Sequence, residues 1–299
     1  MMPALDETRL RGEMRINEPL SRHTTWRVGG PAERFYKPAD RADLISFLQQ
    51  LDPREPLFWL GLGSNLLVRD GGYKGTVIAT QGRLEQIEWR GDLLVAEAGV
   101  SCAKIARTAA RAGRVGVEFF AGIPGTLGGA LAMNAGAFGG ETWNQVREVE
   151  TIDRYGMVQR RPVSDFEVGY RQVKGHPGEW FLAAALALET GDSAAAQDRI
   201  KALLERRAAT QPTRLPSCGS VFRNPANDHA ARLIEAAGLK GRRLGGAQVS
   251  EKHANFIVNI DHATAADIEA LIALVQQEVE AHSGVRLVTE VHRIGENLE

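Results

Sequence analysis

The chain has 299 residues, 43% of them hydrophobic and 24% charged, which is enough material for more than one compact core. Its 36 basic and 37 acidic residues leave a formal net charge of -1, so no global field draws it to nucleic acid or to an anionic membrane. Any phosphate it binds must be held by a local site.

Cys102 and Cys218 stand far apart and form neither a CxxC spacing nor a His-Cys cluster, which argues against a zinc site or a disulfide scaffold. Redox chemistry would have to come from an organic cofactor. The opening MMPALDETRLRGEMRINEPL mixes acids and bases and lacks the apolar core of a secretion signal. The longest apolar stretch, 181–188, is too short to span a bilayer, so a cytoplasmic location is expected.

In chain order, VGGP at 28–31 predicts a turn ahead of a strand over 33–37. Leu44, Ile45, Leu48 and Leu51 repeat at helical spacing and predict a helix over 41–51, followed by a short strand over 57–60. Strand-like runs follow at 76–79, 84–89 and 93–96, then a helix over 101–112 with Ser101 as N-cap and Gly113 as its stop. The middle predicts an antiparallel hairpin, 146–153 and 157–163 about a turn at 154–156, and a strand over 181–189. Composition shifts at 191–196, and a charged helix over 195–209 leads to Pro212 and Pro216, where a domain boundary is expected. The rest reads as a small α+β unit: a helix over 230–237, strands over 244–249 and 255–259, a helix capped by Thr264, and a last strand over 285–291. No repeat of 20 to 50 residues is present, which sets aside a solenoid.

Two segments are richer in glycine than core packing explains. LGLGSNLLV (60–68) follows a strand and places Gly61, Gly63, Ser64 and Asn65 where backbone N–H groups can converge on an anion. GIPGTLGGALAMNAGA (122–137) leaves backbone bare at Gly125, Gly128 and Gly129. Leu66 occupies the third glycine position of a GxGxxG in the first, and neither contains GK[ST], which disfavours a Rossmann dehydrogenase or a P-loop ATPase. Read blandly, these glycines serve turns.

Six segments in order resemble the UDP-N-acetylenolpyruvoylglucosamine reductases: HTTWRVGGPA (23–32), the two glycine segments, FEVGYR (166–171), CGSVFRNP (218–225) and EVHRIG (290–295). The likeness covers nearly the whole chain. It implies an α+β chain: a PCMH-type FAD-binding fold of two α+β subdomains with a smaller C-terminal α+β domain that closes over a UDP-sugar. The expected division is an N-terminal extension over 1–24 packing on the FAD domain, the FAD domain over 25–192 and the UDP-sugar domain over 193–299. The implied activity is NADPH-dependent reduction of the enolpyruvyl group of UDP-N-acetylglucosamine enolpyruvate to UDP-N-acetylmuramate, for peptidoglycan precursor synthesis. FAD would be held noncovalently by Gly61, Gly63, Ser64, Asn65 and Leu66 of the first loop. From the second it would meet Gly122, Ile123, Pro124, Gly125, Thr126, Gly128, Gly129, Asn134, Ala135 and Gly136. The stretch from Arg171 to Ser220 is too short for the segment carrying a substrate-gripping tyrosine loop, so the chain resembles the shorter type II branch.

An enol ether joined to a carboxylate accepts hydride at its β-carbon, because the charge left at the α-carbon spreads into the carboxylate. The resemblance assigns Arg171 to that carboxylate, where a permanent, forked cation favours the enediolate-like intermediate. It makes Ser220 the proton donor to the α-carbon and pairs Glu290 with Arg171 at the intermediate. It puts Tyr170, Asn224, Lys240 and His253 around the substrate. On residue type alone, Arg171 reads as a surface ion-pair partner, Ser220 as a turn-capping serine and Glu290 as a solvated glutamate. GSVF around Ser220 is not the GxSxG elbow of a hydrolase. Cys218 shares a strand face with Ser220 and reads as a small packing residue. Two other readings stay open: a PCMH-fold FAD oxidase of another hydroxylated substrate, and a non-catalytic UDP-sugar-binding protein.

Overall fold

The structure, a computed structural model, describes residue 6 and residues 10–298. Residues 1–5, 7–9 and 299, which include part of the expected N-terminal extension, lie outside the described residues. Helices and largely antiparallel sheets make the chain α+β.

Two compact units form, each from separated stretches. The first takes the described part of Met1–Arg15 with Arg34–Leu62 and Gly75–Glu205; the second takes Ile16–Glu33, Gly63–Lys74 and Arg206–Glu299. The division therefore falls later than the composition shift at 191–196. Helix Ser193–Thr210 starts inside the first unit because Ala196 and Ile200 are buried in that unit's core.

The centre of the first unit is a five-stranded antiparallel sheet in the order Val158–Pro162, Val146–Asp153, Glu179–Ala187, Leu93–Glu97, Ile87–Arg90. The hairpin about residues 154–156 forms where it is expected, closed by Gly156 N–H donating to the Asp153 carbonyl at 3.1 Å. Helix Cys102–Arg111 begins at Ser101, whose side chain accepts the Lys104 amide at 3.2 Å, and ends before Gly113 at φ 66°. It buries Cys102, Ile105, Ala106, Ala109 and Ala110, one helical face, in a core shared with Ala184 and Leu186 of the sheet. A separate core gathers Tyr36, Leu44, Phe47, Leu48, Ile78 and Leu182 around helix Arg41–Gln50. Strand Leu57–Leu60 runs parallel to Tyr73–Ala79 and delivers the chain to Gly61.

The expected run 84–89 begins pairing only at Ile87, because the amide of Gln86 is taken by the side chain of Glu97 at 2.9 Å.

In the second unit, helix Ala265–Ser283 starts with a capping box between Thr264 and Asp267 and buries Ile268, Leu271, Ile272, Val275 and Val279. Trp26 is fully buried in the same core, its indole N–H donating to the Ile257 carbonyl at 2.7 Å. The expected strand over 244–249 is instead a hairpin, Arg243–Leu244 against Ala247–Val249, because Gly245 at φ 52° turns the chain at Gly245 and Gly246. The last strand also differs. Residues 285–291 alternate in burial, yet their pairing is a short one, the bridge Phe222 to Thr289 flanked by the Arg223 amide on the Val288 carbonyl and the Glu290 amide on the Val221 carbonyl, and the regular strand is His292–Ile294, parallel to Leu66–Val68. Side-chain alternation satisfies the pattern, but the partner at 221–223 is too short for a regular ladder. No helix among the described residues is long and apolar enough to cross a membrane.

Candidate active site

Gly61 closes its strand against Thr126, where a Cβ would stand 2.4 Å from the threonine Oγ1. Thr126 is buried, and its Oγ1 has no hydrogen-bond partner among the described residues. It precedes helix Leu127–Met133, whose first amides are taken by the carbonyls of Val100 and Ala98 at 2.8 and 2.9 Å. These residues line a cavity of about 320 Å³ with Gly128, Gly129, Trp59 and Trp180. The buried indole N–H of Trp59 also lacks a partner. Thr126 Oγ1 and the Trp59 indole N–H are thus buried polar groups beside the cavity with no partner among the described residues, and leaving such groups unpaired is costly. Gly129 is exposed, and a Cβ there would meet nothing nearer than Thr126 Oγ1 at 3.8 Å, so its bare backbone is not required by internal packing. A lining of aromatic rings with the bare backbone of Gly129 suits an aromatic cofactor.

Other glycine-segment residues have internal uses. A Cβ on Gly122 would fall 2.5 Å from the Phe138 ring. The Gly125 N–H donates to the Ile123 carbonyl and the Gly125 carbonyl accepts from Cys102, both at 2.9 Å, with Pro124 exposed between Ile123 and Gly125. Ala135 accepts from Thr142 through both its amide, at 3.0 Å, and its hydroxyl, at 2.7 Å.

FEVGYR is a hairpin, Glu167–Gly169 against Gln172–Lys174, with Tyr170 and Arg171 as its two turn residues. Arg171 is left-handed at φ 53°, a conformation that only a well-held non-glycine residue keeps. Its Nη1 donates to the Asn134 carbonyl at 3.2 Å and its Nη2 to the Gly136 carbonyl at 2.9 Å. The guanidinium lies 5.1 Å from the ring centre of half-exposed Tyr170.

The second unit holds the remaining candidates. Gly63 at φ 65° passes so close to the main chain of His23 that a Cβ would stand 2.1 Å from the His23 carbonyl oxygen. After half-buried Ser64, the amide of Asn65 donates to the Glu290 carbonyl at 3.2 Å, and buried Leu66 donates its N–H to the Cys218 sulfur at 2.9 Å. Glu290 N–H in turn donates to the Val221 carbonyl at 2.8 Å. The structure thus ties the residues on either side of half-buried Ser220, and Glu290, into one hydrogen-bond network with the Asn65 loop. Asn255, absent from the sequence-based candidates, pins the residues after Ser220: its amide exchanges two hydrogen bonds with the main chain of Phe222, at 3.0 and 2.8 Å. Cys218 is buried, and burial pushes its thiol up to about 12, so it packs and anchors rather than ionising.

Asn224 is exposed and accepts the Ala230 amide at 3.1 Å, steadying the start of helix Ala230–Ala236. Lys240 pairs with Glu235 at 3.0 Å. His253 lies close enough to feel both charges; burial lowers its pKa from the usual value, with a smaller push from Lys240. Its Nδ1 is buried without a partner among the described residues. Neither Trp59 nor Asn255 carries a motif that marks it in the sequence.

A cavity lined by Gly61, Gly128, Gly129 and aromatic rings suits a nucleotide cofactor and points to the class of cofactor-dependent oxidoreductases. Residues 32–161 match the FAD binding domain family, and residues 211–294 match the family UDP-N-acetylenolpyruvoylglucosamine reductase, C-terminal domain. The UDP-N-acetylenolpyruvoylglucosamine reductase of Alkalilimnicola ehrlichii is 64% identical over 95% of this chain and 96% of that protein. That of Methylococcus capsulatus is 64% identical over 96% of this chain and 94% of its own length. The crystal structure of UDP-N-acetylenolpyruvylglucosamine reductase from Thermus caldophilus superposes with a TM-score of 0.82 at 33% identity, covering 95% of this chain and 99% of that one. The chain belongs to the UDP-N-acetylenolpyruvoylglucosamine reductase family.

Proposed function

We infer that the protein is an FAD-dependent NADPH oxidoreductase that reduces the enolpyruvyl group of UDP-N-acetylglucosamine enolpyruvate, giving UDP-N-acetylmuramate for peptidoglycan precursors in the cytoplasm. The observation that carries the site assignment is the setting of Arg171. Its turn is held in a left-handed conformation, and its guanidinium donates to two main-chain carbonyls that orient it. Such a preorganised cation favours charge that develops on a substrate carboxylate.

The reading divides labour between the units, the first holding FAD and the second the UDP-sugar. Bound FAD supplies the relay of a hydride from NADPH to the β-carbon of the substrate. Thr126 and the backbone at Gly129 would hold it, beside Trp59. Arg171 binds the carboxylate and stabilises the charge that spreads into it. Ser220 gives its hydroxyl proton to the α-carbon and regains one from water. The centre it protonates is strongly basic, so the serine needs no prior activation. Glu290, fixed through Val221 and Asn65, acts with Arg171 at the intermediate. His253 and Lys240 present a neutral imidazole and a cation to the sugar nucleotide, with Asn224 and Tyr170 beside it.

The test is one anaerobic spectrum series on the purified protein. The expected result is a flavin band that bleaches with NADPH and returns on adding the enolpyruvyl sugar. A colourless protein would remove the cofactor assignment, and a bleached flavin that the sugar leaves unchanged would remove the substrate.

A further inference from the structure

Asn134 follows helix Leu127–Met133 with a left-handed backbone, φ 47° and ψ 55°, and is buried. Glycine is the usual residue in that position, because a side chain disfavours the conformation. Here an asparagine side chain stands there and is fully used. Its Nδ2 donates to Glu141 Oε2 at 3.0 Å and to the Gly169 carbonyl at 3.1 Å, and its Oδ1 accepts the Trp143 amide at 3.1 Å.

Gly169 and Gln172 are the paired residues that close the turn of Tyr170 and Arg171. Asn134 therefore holds this turn at two points: its side chain grips the base through the Gly169 carbonyl, and its main-chain carbonyl takes Arg171 Nη1 at 3.2 Å. Gly136 completes the grip, and a Cβ there would stand 3.0 Å from Arg171 Nη1 and 2.5 Å from the Gly140 carbonyl oxygen. Left-handed residues at both ends of the contact fix the direction of one guanidinium.

We propose that Asn134 is the positioning residue for Arg171, setting the guanidinium's direction toward the substrate carboxylate without itself touching the substrate. This rests on the assignment of Arg171 to that carboxylate. A residue in this role matters for reduction of the enolpyruvyl group and not for reduction of the flavin by NADPH, which involves no substrate carboxylate. A residue that only supports the core or the flavin pocket affects both steps together.

Two variants separate these cases. Asn134→Asp keeps the size and tolerates the left-handed backbone, but turns a carboxylate toward Glu141 and the Gly169 carbonyl. Asn134→Gly keeps the backbone and its carbonyl and deletes the side chain. The measurement is anaerobic stopped-flow of each half-reaction, with flavin content determined for each preparation. In at least one variant that retains flavin, reoxidation by the sugar is expected to slow roughly 10- to 100-fold more than reduction by NADPH, the scale of a misplaced catalytic group. Wild-type rates in both steps, equal slowing of both, or loss of flavin from both variants would overturn the proposal. Arg171→Ala is the control. If it is slow in reoxidation while the Asn134 variants are not, the positioning role alone fails; if it reoxidises normally, the Arg171 assignment itself has failed.

Discussion

The side-chain amide of Asn65 donates to the main-chain carbonyl of Glu290 at 3.2 Å, and one residue further on Leu66 begins a strand parallel to His292–Ile294. The glycine-rich loop thus ends as a tether for the chain that carries Glu290. Asn65→Ala leaves this carbonyl with one partner fewer. We expect a loss of about 1 kcal/mol in unfolding free energy, typical of one neutral hydrogen bond, and lower turnover per bound flavin. Urea unfolding followed beside steady-state rates checks this, and wild-type values in both would show that the tether does nothing for Glu290.

Gly129 separates packing from cofactor binding more cleanly than its neighbours. A Cβ at Gly61 or Gly128 would crowd Thr126 or Ala98 at 2.4 and 2.9 Å, whereas Gly129 has room for one. Gly129→Val should therefore fold, with a small penalty for a β-branched residue in a short helix, and lose FAD through occlusion of the cavity. Acid precipitation of the wild type should release the flavin into the supernatant, as a noncovalent cofactor requires. A folded, yellow Gly129→Val protein would show that the cavity at Gly129 is not the cofactor site.

His253 ties stability to pH. Burial lowers its pKa below the usual 6.5, so the unfolded chain takes up the proton first as pH falls. Its contribution is therefore complete above the unfolded value and is lost as pH drops through the folded one. We expect the wild type to lose more stability than His253→Gln between about pH 7.5 and about pH 5.5, the window in which histidine titrates. Equal losses in the two proteins would mean that His253 ionises freely in the folded state.

Local rules made much of the scaffold legible, and tertiary ones hid the rest. Ser101 and Gly113 bracket their helix because capping is a property of a few neighbouring residues, and the hairpin of Val146–Asp153 with Val158–Pro162 follows from alternation about a turn. The run 244–249 has the apolar ends of one strand, which mask the turn at Gly245 and Gly246. Residues 285–291 have the burial rhythm of a strand, but pairing depends on a partner distant in sequence. In the candidate site, motif order named Arg171, while the carbonyls that aim it come from residues 134 and 136, which no local pattern links to residue 171.

Ser220 offers the sharpest separation of the chemistry. Hydride passes from NADPH to flavin without a proton at the substrate's α-carbon, whereas reduction of the enolpyruvyl group needs hydride at the β-carbon and a proton next to it. Ser220 follows left-handed Gly219 and precedes Val221, whose amide and carbonyl are held by Asn255 and Glu290, so its backbone is fixed by groups other than its own hydroxyl. Ser220→Ala should then fold, bind FAD and bleach with NADPH at nearly the normal rate. Reoxidation by the sugar should fall by roughly 10² to 10⁴-fold, the range for removing a positioned acid. Ser220→Cys should recover part of that loss, since a thiol also donates a proton, although the larger sulfur fits less well beside Val221. The measurement is anaerobic stopped-flow at the flavin band with each half-reaction run separately. Equal slowing of both would point to a damaged flavin pocket. Unchanged reoxidation would take Ser220 out of the mechanism and leave water as the donor, since the Cys218 thiol is buried and occupied by the Leu66 amide.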